Sequence, residues 1–217
     1  MMIDWSWFPS HTDLLWSLTL DHLSTTVPAV LFGLLLALPL AVVAHRVRPL
    51  RGLLLGLSNL LFTVPSLALF VLLLPFTGLT KTTAVIGLTV YTLVVLLRNT
   101  VEGLDSVPTR VREAAIAMGT GRLRTLLTVE LPLAFPVIMA GVRVATVMTI
   151  SLVSVAGYIG YGGLGQLFIT GFQRNFPTPV LAGVVLTLLL ALAADALLVA
   201  VQRLCTPWTR TQTGKGA

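Results

Sequence analysis

The most conspicuous spacing with chemical potential in the chain is Gly160-x-Gly162-x-x-Gly165. As a dinucleotide fingerprint it would need a strand before it and an acidic residue about 20 positions on. A long apolar block precedes it instead. The glycines read as a tight re-entrant turn where the backbone passes close to a neighbour. Tyr158 and Tyr161 flank this turn. Aromatic faces attract quaternary ammonium cations, although tyrosines beside apolar blocks also serve as interfacial anchors. Arg143 and Asp195 lie inside long apolar blocks, where a charge is costly and usually turns inward. Cys205 is the only cysteine, and His11, His22 and His45 lack ligand spacing, so neither a disulfide framework nor a metal set is expected. The histidines read as solvated or interfacial. Glu102, Glu113 and Glu130 form no helical pair suited to acid–base work, and no GxxxxGK followed by Ser or Thr offers a phosphate cradle. No catalytic residue, cofactor site or metal site is expected in the chain.

Composition decides what must position these residues. Of 217 residues, 56% are hydrophobic and 10% charged, with a mean hydropathy of +0.95. Soluble domains carry roughly 25% charged residues, so the chain reads as an integral membrane protein. Apolar blocks at about 27–44, 53–74, 83–97, 133–155 and 180–201 approach the length of a spanning helix. Lipid leaves only helices or closed barrels to satisfy the backbone. The expected fold is all-α, with five transmembrane helices kinked at Pro28, Pro39, Pro65 and Pro136.

Charge placement predicts orientation. Arg46, Arg48 and Arg51, then Arg98, Arg110, Arg112, Arg122 and Arg124, then Arg203, Arg210 and Lys215 fall on one side of a five-span arrangement. The other side holds Lys81 and Arg174. The excess marks the cytoplasmic side, putting the N-terminus outside and the C-terminus inside. It also accounts for the net charge of +6 without nucleic acid. Residues 1–24 contain no Lys or Arg but carry Trp5, Trp7, Phe8 and Trp16. They are expected as an extracytoplasmic interfacial segment, with a short helix at 13–23. Residues 25–205 form the membrane domain and 206–217 a flexible cytoplasmic tail. Arg143 lies eleven residues past Pro132 and Asp195 eight before Arg203, about 16 and 12 Å into the membrane at 1.5 Å per residue. These similar depths predict an ion pair between the fourth and fifth helices, with a proton or substrate relay as the alternative.

One long stretch, 110–132, carries charge at ordinary soluble density. Val111, Ala114, Ala115 and Met118 recur at i, i+3, i+4 and i+7, an amphipathic helix. Asp105-Ser106 ahead of Pro108 suggests its start, and Gly119 its stop. Leu123, Leu126 and Leu127 suggest a second short helix before Leu131-Pro132. The adjacent alanines allow close approach to another protein, and Val111 and Met118 supply apolar contact. A helix lying on lipid headgroups would be the plainer alternative, but it requires no particular glycine or Leu-Pro spacing.

Glu113-Ala114-Ala115, three residues, Gly119, nine residues, then Val129-Glu130-Leu131-Pro132 resembles the EAA signature of ABC-importer permeases. Valine stands where isoleucine is commoner. Thr63-Val64-Pro65-Ser66, Arg98-Asn99-Thr100 with Gly103, Val107-Pro108 and the 158–165 segment are similar to the branch for glycine betaine, carnitine and choline. Tyr161 replaces that branch's usual alanine. The methionine-type permeases share the five spans and the EAA box.

The resemblance implies a coupling helix docking on a separate cytoplasmic ATPase, which binds the ATP. Val111, Glu113, Ala114, Ala115, Met118 and Gly119 would carry the coupling, and Leu131 and Pro132 would fix the return to the membrane. It further implies an extracytoplasmic substrate-binding protein, a second permease subunit (identical or closely related), and a bacterial cytoplasmic (inner) membrane location. Tyr158 and Tyr161 become candidates for substrate passage. A permease for methionine or another small solute is the alternative. A small membrane enzyme would need a polar cluster that is not found.

Overall fold

The computed structural model describes residues 3–207, and every regular element among them is helical. The greater part of the expected tail, from residue 208 and including Arg210 and Lys215, lies outside the described residues.

After a single turn at Trp7–Ser10, helix α1 runs unbroken for 35 residues, Thr12–Arg46. Residues 13–23 are therefore the N-terminal end of the first long helix, not a separate interfacial helix. The boundary expected after residue 24 falls in mid-helix. The polar side chains at this point are absorbed locally, because Ser24 and Thr25 donate their hydroxyls to the Asp21 carbonyl and Thr26 donates to that of His22. The inner face of α1 is a stripe of small residues at every fourth position, Ala29, Gly33, Ala37 and Ala41, all buried. A Cβ on Gly33 would lie 2.7 Å from Thr92 Cγ2. Small side chains of this kind let membrane helices approach closely where no hydrophobic force drives them together.

The second apolar block is not one straight helix. Helices α2, Arg48–Thr63, and α3, Ser66–Thr77, meet at a 97° bend. Among the described residues, four helices are long and apolar enough to cross a membrane, and a fifth span exists if the bent pair is taken as one. Pro65 is the cause. It has no N–H to donate and holds Val64 extended, at φ −68° and ψ 127°. Tyr91 donates its O–H to the Val64 carbonyl left at the break, and its ring meets Phe62 edge-on at 6.2 Å.

Tyr91 belongs to α4, Lys81–Asp105, the central helix, which packs against α1, α2 and α3. It also packs against α6, Leu131–Val155. A Thr92–Thr149 hydroxyl bond of 3.0 Å joins α4 to α6. The main core is built from Ala37, Ala41 and Ala44 of α1, Leu96, Leu97 and Val101 of α4, and Met139, Val142 and Ala145 of α6. Between α4 and α6 lies α5, Thr109–Ala117. Beyond α6 come α7, Gly165–Gln173, and α8, Pro177–Cys205, which packs on α6 and α7.

Candidate functional site

Helix α5 is closed at both ends by backbone chemistry. The Pro108 carbonyl, at φ −58° and ψ 132°, accepts from the Val111 and Arg112 N–H groups. Asp105-Ser106 is therefore not its start: both close α4, and the chain turns at Pro108. At the other end Thr120 N–H donates to the Ala115 carbonyl and Gly119 N–H to that of Ile116. This is the paired closure that needs a left-handed residue, and Gly119 supplies it with φ +84°.

The sequence stripe does not become one buried face. Ala115 is buried, while Glu113 and Ala114 are exposed and Val111, Ile116 and Met118 are exposed by 39%, 50% and 78%. Apolar side chains of α5 are thus presented away from the protein, and Leu123 and Leu127 farther on are exposed as well. Ile116 lies off the expected stripe. Its exposure was illegible because the sequence pattern does not say which face the bundle takes.

The second short helix expected from Leu123, Leu126 and Leu127 is instead the root of the fourth span. A turn at Arg122–Thr125 passes into a π-helical turn, Leu126–Glu130, and straight on into α6. Leu131 N–H reaches back five residues to the Leu126 carbonyl. The wide turn falls where Pro132 removes the donor that Thr128 would have used. Leu131 and Pro132 are both half-buried.

Two carboxylates organise this basic end of the molecule. Glu130 is wholly buried, and Arg46 Nη2, from the last residue of α1, donates to both its oxygens at 2.9 Å. Arg112 of α5 brings Nε to 3.1 Å from Glu130 Oε1. Asp105 at the end of α4 holds His45 Nδ1 and Arg51 Nη2, each at 2.6 Å. Neither cluster was legible in the sequence. Glu130 and Arg46 are 84 residues apart, and no helical spacing pairs them.

At the opposite end, the 156–165 segment is pinned by His22. This residue is fully buried, contrary to the solvated or interfacial role expected of it. Its Nδ1 accepts from Leu164 N–H at 3.3 Å, so the ring proton sits on Nε2 and is donated to the Ile150 carbonyl at 2.8 Å. Gly163 turns at φ +51° against the His22 backbone, 2.7 Å from where its Cβ would be. A Cβ on Gly165 would lie 2.3 Å from the Ser154 carbonyl oxygen.

The two tyrosines line different spaces. Tyr158 is exposed beside a cavity of about 560 Å³ shared with Phe168 and Phe172. Tyr161 lines a smaller crevice with Asp21 and Lys81, and its O–H donates to the Leu79 carbonyl at 3.0 Å. Arg143 of α6 meets Asp195 of α8 with two hydrogen bonds, Nε to Oδ1 at 2.7 Å and Nη2 to Oδ2 at 2.9 Å. No group of three or more His, Cys, Asp or Glu residues suited to a metal occurs among the described residues.

Known proteins share this architecture. The chain is 35% identical over 189 residues, 87% of each chain, to the choline transport system permease protein OpuBB of Bacillus subtilis (strain 168). It is 34% identical over 187 residues, 86% of each chain, to the glycine betaine/carnitine/choline transport system permease protein OpuCB of the same organism. A chain of the MetNI methionine ABC transporter, solved in inward-facing conformations, superposes with a TM-score of 0.73 at 25% identity, covering 89% of this chain and 98% of that one. Residues 29–206 match the family described as the binding-protein-dependent transport system inner membrane component. That match spans most of a bundle whose helices are long and apolar enough to cross a membrane, and the chain belongs to this family of inner-membrane ABC permease components.

Proposed function

We propose that this chain is the permease subunit of an ATP-driven importer for quaternary ammonium osmoprotectants such as glycine betaine, carnitine and choline. The observation that carries the reading is α5. It is a short helix with an outward apolar face, stopped by Gly119 and rooted beside a buried ion cluster. Such a surface suits docking of a separate ATPase subunit by Val111, Glu113, Ala114 and Met118, while Ala115, expected on that surface, is buried and packs the helix onto its own chain; the basic end would lie in the cytoplasm and the N-terminus outside. Leu131 and Pro132 would fix the return to the membrane. Two such subunits, identical or closely related, would enclose a pathway. ATP-driven closure of the ATPases would tilt α5 and rock the bundle from inward- to outward-facing. An extracytoplasmic binding protein would then release solute into it. The substrate class rests on the two relatives named for choline, glycine betaine and carnitine transport. The aromatic ring of Tyr158, exposed beside a cavity, is chemically suited to passing such a cation.

Uptake by the complex reconstituted in liposomes, tested against choline, glycine betaine, carnitine and methionine, decides the substrate. Saturable, ATP-dependent uptake of the quaternary ammonium compounds is expected. Uptake of methionine alone would replace that assignment with the methionine-type reading.

Arg143 and Asp195 are proposed as a structural pair within the membrane. Each single change to alanine should lower the melting temperature of the purified protein, and the double change should recover part of the loss. Strict additivity would instead favour the relay.

A further inference from the structure

We infer that Glu130 is the positioning residue through which movement of α5 reaches the first span, held throughout by Arg46 and making a contact with Arg112 that changes with the state of the transporter. The inference rests on the reading of α5 as the ATPase-docking helix and goes beyond it by naming the link behind that helix.

The two ends of the link are built differently. At the α1 end, Arg46 Nη2 makes hydrogen bonds of 2.9 Å to both Glu130 oxygens. At the α5 end, Arg112 Nε lies 3.1 Å from Oε1, yet this buried nitrogen has no acceptor in hydrogen-bond geometry among the described residues. One end is a directional clasp, and the other is charge attraction without alignment. A buried donor left without an aligned acceptor is a cost that a small rotation of α5 would remove. The arrangement therefore favours a second position of α5, in which Arg112 aligns with Glu130 and draws Arg46 and α1 with it.

Position supports the same reading. Glu130 closes the π-helical turn directly ahead of α6, and α5 packs against the 122–130 segment. Such wide turns recur at functional sites. Full burial of the carboxylate makes a paired guanidinium necessary in either state, since an uncompensated charge there would be unfavourable. A carboxylate serving only to close the end of the bundle would need no partner on α5, because Arg46 alone engages both its oxygens. The second guanidinium, brought from the docking helix, is what turns a clasp into a linkage. Coupling between sites requires such an element with two arrangements that both ends can bias.

The test uses the complete complex in liposomes and reads solute imported per ATP hydrolysed. Arg46→Gln removes the far end of the link without touching α5, and Arg112→Gln removes the near end. Each is expected to lower the ratio about fivefold or more, and the double variant no further than the stronger single one, because both act through one carboxylate. Glu130→Asp, which keeps the charge, should retain more of the ratio than Glu130→Gln. A role confined to holding the bundle together would lower uptake, hydrolysis and melting temperature together and leave the ratio unchanged, and that result overturns the inference. If Glu130→Gln does not fold, Arg46→Gln decides, and an unchanged ratio there is equally fatal. Failure of the underlying reading is separately visible: the unaltered permease would then bind no ATPase subunit or import none of the quaternary ammonium compounds.

Discussion

The two ends of this bundle are held by different forces. At the basic end, separate elements are joined by long charged side chains: Arg46 and Arg112 converge on Glu130, and His45 and Arg51 on Asp105. At the opposite end, backbone packs on backbone. Gly163 lies against His22, Gly165 against the Ser154 carbonyl, and the His22 ring joins α1 to both α6 and the 156–165 segment. Charged side chains can change partners and angle with little loss. A close backbone contact has one arrangement, since interiors at crystal-like density do not deform continuously. The basic end is thus joined by contacts that tolerate a change of angle, and the other end by contacts that do not. That asymmetry suits a machine driven from one side.

The largest expected effect tests the fixed end. Gly165→Val places a Cβ 2.3 Å from the Ser154 carbonyl oxygen and should destabilise the protein by about 3 kcal/mol or more, read as loss of monodisperse protein or a large fall in melting temperature. A near-normal melting temperature would show that this end also deforms. Next, His22→Leu keeps the bulk but removes both hydrogen bonds and leaves the Leu164 N–H buried without its partner, a loss of about 2 kcal/mol. Restoration by Asn rather than by Met would show that polarity is what matters there.

Smaller effects are expected at the adjustable end. Gly119→Val meets no atom within 4 Å in this chain but must adopt φ +84°, which strains the backbone by about 1–2 kcal/mol. The protein should still insert and purify, while ATP-dependent uptake falls well out of proportion to the change in melting temperature. Unimpaired uptake would remove Gly119 from the coupling element. Met118→Ala is the smallest in stability, within about 0.5 kcal/mol, because the side chain is 78% exposed. Its effect should appear instead in retention of the ATPase subunit during purification.

Much of the scaffold was legible in the sequence, and for local reasons. Apolar block length gives membrane helices wherever water is absent, and Gly119 ends a helix because few other residues tolerate a left-handed turn. The stripe Ala29, Gly33, Ala37 and Ala41 was equally available as a signal of close helix packing, though only α4 shows what it packs against. The expectation of a second helix merely kinked at Pro65 fell short of the 97° break, because whether a proline kinks a helix or breaks it depends on a partner for the freed carbonyl. Here Tyr91 of α4 captures the broken form.

The sequence alone determined a membrane-embedded helical protein with a charged, amphipathic segment between its third and fourth apolar blocks and an EAA-type spacing within it. Periodicity, block length and turn chemistry act over a few residues and can be read without the fold. Only the tertiary structure decided that Glu130 is buried between Arg46 and Arg112, that His22 is an internal peg, and that Tyr158 and Tyr161 face different spaces. Those facts depend on which faces of distant helices meet, and a burial partner 84 residues away leaves no trace in local spacing.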